Sequence, residues 1–101
     1  MVEAALEPAL HAPARLQIAA FLARVDEAEF ATLREVTGVS DSVMSKHLSA
    51  LAEAGYASVK KRTSGGRQRT WAALTAKGRR AFAAHMAALE ELVASARAAA
   101  E

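Results

Sequence analysis

SDSVMSKHLSALAEAGYASVKKRTSGGRQRTWAALT, residues 40–75, is the stretch on which the fold turns. Ser40 suits a helix N-cap, because its hydroxyl can accept a free backbone N–H, and Asp41 stands at the positive end of the helix. Gly55 stops that helix. At about 100° per residue, Met44, Leu48 and Leu51 gather with Gly55 on one side of it. Ser42, Ser45, Lys46, Ser49 and Glu53 gather opposite, with Val43 and Ala50 at the flanks. One stripe can anchor to a core while the other offers small polar groups and one cation. After Gly55, YASVKKRT and QRTWAALT are two strand-like runs around Gly65-Gly66, and a glycine pair between such runs predicts a tight hairpin. Lys60, Lys61, Arg62, Arg67 and Arg69 fall within the hairpin, and no acid lies between Lys60 and Thr70. A phosphate-binding loop would need its glycines to lead into a helix with a Lys-Ser/Thr pair. Here they lie between strands, which excludes it; a solvated basic hairpin remains open.

Upstream, Phe30, Leu33 and Val36 have helical spacing and predict a helix over about 28–37. Asp26 and Glu29 can form an acidic cap pair, or Phe30 can sit in a short extended lead-in. Thr37-Gly38 breaks the helix, so residues 28–55 read as helix, short turn, helix. Pro13 suits the first turn of an earlier helix, whose face carries Ile18, Leu22 and Val25 and is widened by Leu16 and Phe21. Residues 1–12 form an arm or a short helix. Thr75 caps a last helix over about 76–99. The expected class is mainly α with a small β-hairpin (α+β). The expected division is an arm at 1–12, a core at 13–75 with its key helix at 41–55 and hairpin at 57–74, and a terminal helix at 76–101.

Composition narrows the function. Half of the 101 residues are apolar and about a quarter charged, as in one globular domain. No apolar run approaches the roughly 20 residues of a membrane span, and no signal-peptide pattern opens the chain, so an intracellular, cytoplasmic location is expected. The abundance of alanine and of arginine over lysine suggests GC-rich coding and a bacterial source. The formal net charge of +2 conceals an uneven distribution. Residues 1–39 carry three cations and six acids (−3), residues 40–80 nine and two (+7), and residues 81–101 one and three (−2). A basic middle between acidic ends is the footprint of one positive face.

Three collinear pieces carry a resemblance. The run from Asp41 fits D-x-x-(L/M)-S-x-H-L-x-x-L-x-x-A-G-Y at Asp41, Met44, Ser45, His47, Leu48, Leu51, Ala54, Gly55 and Tyr56. A later L-T-x-x-G-R matches at Leu74, Thr75, Gly78 and Arg79. LHAPARLQIAAFL, with His11, Pro13 and Arg15, supplies the opening helix. Over about 10–90 the chain resembles the winged helix-turn-helix regulators of the MarR/ArsR superfamily, in their short single-domain branch. The resemblance implies a homodimeric transcription factor, a repressor, on double-stranded DNA with a palindromic operator. Its recognition helix would lie in the major groove with Ser42, Val43, Ser45, Lys46 and Ser49 at the DNA. Its hairpin, the wing, would bring Lys60, Lys61, Arg62, Arg67 and Arg69 to sugar-phosphate or the minor groove. His47 borders the core side of the helix, where packing or a hydrogen bond competes with DNA contact. Trp71 reads as a core residue.

Small side chains let a helix backbone enter a major groove about 12 Å wide, but this stripe lacks the Arg, Asn or Gln that read bases bidentately. Specificity is therefore expected from two half-sites, from Arg67 in a narrow minor groove and from DNA shape. In the last helix Phe82, Met86, Leu89, Val93 and Ala96 repeat at 4, 3, 4, 3, a coiled-coil rhythm. One small protomer can hardly bury them all with Phe21, so Phe82, Met86, Leu89 and Val93 predict a dimer interface. An apolar effector could bind between the first and last helices.

Other classes fit less well. The chain has no cysteine, and its histidines stand apart at 11, 47 and 85. His85 has only Glu90 and Glu91 near it in sequence, at the wrong helical spacing for a ligand pair. No catalytic set, cofactor or metal site is expected. The alternative is a winged helix that binds proteins without specific DNA binding.

Overall fold

Ser40 and Gly55 bound the decisive helix as its chemistry requires. The computed structural model describes residues 6–100. Its elements are α1 (Pro8–His11), α2 (Pro13–Leu22), β1 (Ala28–Glu29), α3 (Phe30–Thr37), α4 (Asp41–Glu53), β2 (Ala57–Ser64), β3 (Arg67–Leu74) and α5 (Ala76–Ala100). The Ser40 hydroxyl accepts the Val43 N–H at 3.3 Å and starts α4. At the other end, Tyr56 N–H donates to Leu51 O and Gly55 N–H to Ala52 O. This paired closure needs a left-handed residue just past the cap, and Gly55 supplies it at φ 81°.

The core is the meeting of four helices and the base of the sheet. Leu10, Ile18, Leu22, Leu33, Met44 and Leu51 are fully enclosed, and Ala72 and Leu74 of β3 close one side. Each enclosed aliphatic side chain contributes about 2 kcal/mol by leaving water. The apolar stripe of α4 is thus its anchor.

The sheet has three strands in the order β1-β3-β2, all antiparallel. The hairpin turns at Gly65 and Gly66, both at positive φ, as a two-residue loop matching strand twist requires. The third strand is β1, two residues long, pairing Ala28 with Ala72 and Glu29 with Trp71. So residues 28 and 29 are extended and α3 begins at Phe30. The acidic cap pair does not form: Glu29 stands at the N-cap without a side-chain bond to the helix. It reaches Arg69 instead.

Residues 8–11 take the short-helix alternative, and the part of the arm before residue 6 lies outside the described residues. Glu7 organises this corner. Its backbone N–H donates to His85 Nδ1 at 2.9 Å, and one carboxylate oxygen accepts the Tyr56 hydroxyl at 2.7 Å. That bond, then burial, raises the Tyr56 pKa. His85 is fully enclosed, with the His11 ring edge-on at 5.8 Å. Burial first, and the His11 charge second, hold its pKa below the ordinary value, while Glu7 pulls the other way. Because Nδ1 accepts, the neutral ring carries its proton on Nε2, which has no partner among the described residues.

The sign of the pH dependence follows. A histidine held neutral in the folded chain stabilises it fully above the unfolded value of about 6.5. That contribution is lost as pH falls from there through the depressed folded value. His47 is shifted in the same direction. We expect Tm to fall between neutral pH and mild acid, and His85→Gln to flatten that fall while keeping an acceptor for Glu7. Melting curves across this range check it; parallel profiles would show that His85 does not carry the effect.

Thr75 begins α5 by accepting the Gly78 N–H and donating to Gly55 O, which ties the helix to the end of α4. Along α5, Gly78, His85 and Ala88 face inward. Phe82 packs partly on the core, Met86 and Leu89 are half-buried, and Val93 is 48% exposed. The last turns project from the body, and the molecule measures 59 × 25 × 21 Å.

Candidate nucleic-acid interface

α4 turns its anchoring stripe inward, so its polar stripe must face out. Ser42, Val43, Ser45, Lys46 and Ser49 are all exposed, Val43 to 39%. The hairpin rises beside this face, and the two enclose a groove of about 690 Å³. Ser45 and Ser49 line it from the helix, and Lys61, Arg67, Gln68 and Thr70 from the ribbon. At the helix N-terminus Asp41 is joined to Arg34 of α3 at 2.6 Å, across the turn between the helices. His47 is tied into the fold: Arg15 Nε of α2 donates to its Nδ1 at 3.1 Å. Burial and then the Arg15 charge lower its pKa, so a neutral His47 braces the helix from its flank.

Strand alternation divides the five hairpin cations. Directly opposed residues share a face. Val59 with Ala72, and Lys61 with Thr70, therefore share one face, and Lys60 with Trp71, Arg62 with Arg69, and Ser64 with Arg67 the other, although Arg67 beside the turn and Arg69 also line the groove. On the second face a shallow cavity of about 240 Å³ holds Asp26, Glu27, Lys60, Arg62 and Trp71. Arg62 lies over the Trp71 ring at 4.6 Å from its centre and forms an ion pair with Glu27. Arg69 pairs with Glu29 at 2.6 Å. Lys60, Lys61 and Arg67 have no ion pair among the described residues.

Trp71 departs from its expected core role. Pairing with Glu29 and Lys60 puts it on the face away from Ala72, where it is half-buried outside the main core. Gln68 and Thr70 were not anticipated at the groove. Counting alternate positions back from the Gly65-Gly66 turn places both on the Lys61 face, so the signal was present. Among the described residues no group of His, Asp and Glu side chains could hold a metal ion, and no helix is long and apolar enough to cross a membrane.

Residues 14–93 match the family described as the winged helix DNA-binding domain. The chain belongs to that family. It is a family of DNA-binding domains, not of enzymes. In this winged-helix chain α3 and α4 form the helix-turn-helix and β2–β3 the hairpin of the fold. Solved structures share the fold. A transcriptional regulator homologue from Pyrococcus horikoshii OT3 superposes with a TM-score of 0.81 at 23% identity, over 86% of each chain. NolR from Sinorhizobium fredii gives 0.65 at 24% identity, over 90% of this chain and 83% of that one. A MarR family transcriptional regulator from Silicibacter pomeroyi gives 0.67 at 23% identity, over 85% of this chain and 56% of its own. No curated protein matches the winged-helix chain in sequence.

Proposed function

We propose that this chain is a dimeric, sequence-specific transcriptional regulator of the MarR/ArsR type that acts in the cytoplasm as a repressor on a palindromic operator. The observation that carries the reading is the groove between the polar face of α4 and the wing, with Ser45 and Ser49 on one wall and Lys61 and Arg67 on the other. Such a groove fits one edge of a duplex. Ser42, Val43, Ser45, Lys46 and Ser49 enter the major groove, and Lys60, Lys61 and Arg67 meet phosphate or the minor groove. Phe82, Met86, Leu89 and Val93 join the two copies, whose two-fold axis matches the operator. A dimer seated on its operator represses by denying polymerase that duplex.

Fluorescence anisotropy on an A·T-rich palindromic duplex, titrated at two salt concentrations, tests this reading. Binding should weaken steeply with salt, by about 0.9 in log–log slope per neutralised phosphate. Lys60→Ala and Arg67→Ala should weaken binding to every duplex and each flatten the slope by about that amount per protomer. Replacing Ser45 or Lys46 should instead change which sequence is preferred. Absent or salt-insensitive binding would favour a protein-interaction module. If both classes of variant behave alike, the division of labour between helix and wing is wrong.

A further inference from the structure

The register of the wing sets Arg62 directly opposite Arg69. Like charges facing each other across two strands push the strands apart, and a bare two-stranded ribbon is barely stable alone. The third strand gives little help, since β1 pairs only at Ala28 and Glu29 and the wing runs on from there to its tip without a neighbour on that side. Two acids at the foot of the wing answer the repulsion. Glu27 takes Arg62, which also rests on Trp71, and Glu29 takes Arg69. Glu29 is itself mostly covered, with its side chain 21% exposed, so its carboxylate is a fixed post. Both acids come from the segment that leads into α3, the first helix of the helix-turn-helix. The two ion pairs therefore connect the wing to the body that carries the recognition helix.

We propose that Glu27 and Glu29 are positioning residues that withhold Arg62 and Arg69 from phosphate and fix the angle of the wing to α4. Three wing cations, Lys60, Lys61 and Arg67, then remain for the DNA backbone. This inference rests on the DNA-binding reading above and adds a way to limit non-specific affinity. Every cation spent on an acid is one fewer sequence-blind contact, and a wing at a fixed angle demands one groove geometry.

The test uses the full chain, a fluorescein-labelled random-sequence duplex and anisotropy over a salt series. Glu27→Gln together with Glu29→Gln frees both arginines. The double variant should bind the random duplex several-fold tighter at low salt, with a slope steeper by up to about 2 per protomer, at about 0.9 per added phosphate. Arg62→Gln with Arg69→Gln, which leaves both carboxylates without their arginines, should keep the wild-type slope. A purely structural role for the acids predicts the opposite of the first result, weaker binding with no steeper slope, and would overturn the inference. So would a slope that shallows in the arginine double variant, because those arginines would then be touching phosphate already. Wild-type protein that fails to bind any duplex in a salt-dependent way removes the DNA-binding reading and this inference with it. Wild-type binding with an unchanged slope in the glutamine variant removes this inference alone.

Discussion

Gly78→Ala should unfold this protein at a temperature roughly 12–24 °C below wild type, at about 4–8 °C per kcal/mol for a domain of this size. Replacing glycine by alanine inside a helix ordinarily stabilises, by about 0.5–1 kcal/mol. Here the sign reverses because of space. A Cβ on Gly78 would stand 2.0 Å from the carbonyl oxygen of Tyr56 and 2.8 Å from its carbon, and both are backbone atoms that no rotamer can move. The helix must back away from the turn after α4, which breaks the bonds of Thr75 to Gly55 O and Tyr56 O and loosens the seat of His85. Overpacking of this kind costs about 3 kcal/mol at the upper end of the usual range. Calorimetry or a circular-dichroism melt decides it. A Tm within a few degrees of wild type would mean that α5 slides along Tyr56 at little cost.

Val93→Glu should leave the fold intact and dismantle the dimer. Val93 is half exposed in the protomer, so its replacement disturbs little of the core. In the proposed pair the same side chain lies in the apolar seam with Leu89 and Met86, where a carboxylate without a partner is expensive to bury. Sedimentation should show a dimer for wild type and a monomer for the variant, with similar melting of the protomer. Affinity for a palindromic duplex should fall about 10²–10⁴-fold, because the second half-site no longer benefits from a tethered partner. Affinity for a single half-site should change little. A variant that still sediments as a dimer would place the interface elsewhere than on this face of α5.

Much of the architecture could be read from local signals. Ser40 and Gly55 bounded α4, the 44–48–51 spacing gave its anchor, and Gly65-Gly66 fixed the hairpin register on which the distribution of cations depends. Features that needed distant partners were hidden. β1 is two residues long, too short for any period to show. The pairs Arg62–Glu27 and Arg69–Glu29 join residues 35 and 40 positions apart, so a count of basic residues sees five equivalent cations where the fold has two classes. His85 offered only Glu90 and Glu91 as neighbours in sequence. Its actual partner is the backbone of Glu7, 78 residues away. Trp71 stands opposite Lys60, on the face away from Ala72 and Leu74, so the alternation along the hairpin and not the residue type decides its place.

β2 also has a free side. It lies at the end of the strand order, with β3 as its one neighbour among the described residues, and from Lys60 to Ser64 it is open to solvent. An open strand edge invites another chain to pair with it, and closely set cations are one of the means by which such edges stay single. Lys60, Lys61 and Arg62 occupy that edge, so the charges suited to a phosphate backbone also keep two wings from zipping together. Stripping them removes a solubility guard along with a DNA contact. A wing variant that fails to bind must therefore be checked for self-association before its loss of affinity is assigned to the missing charge.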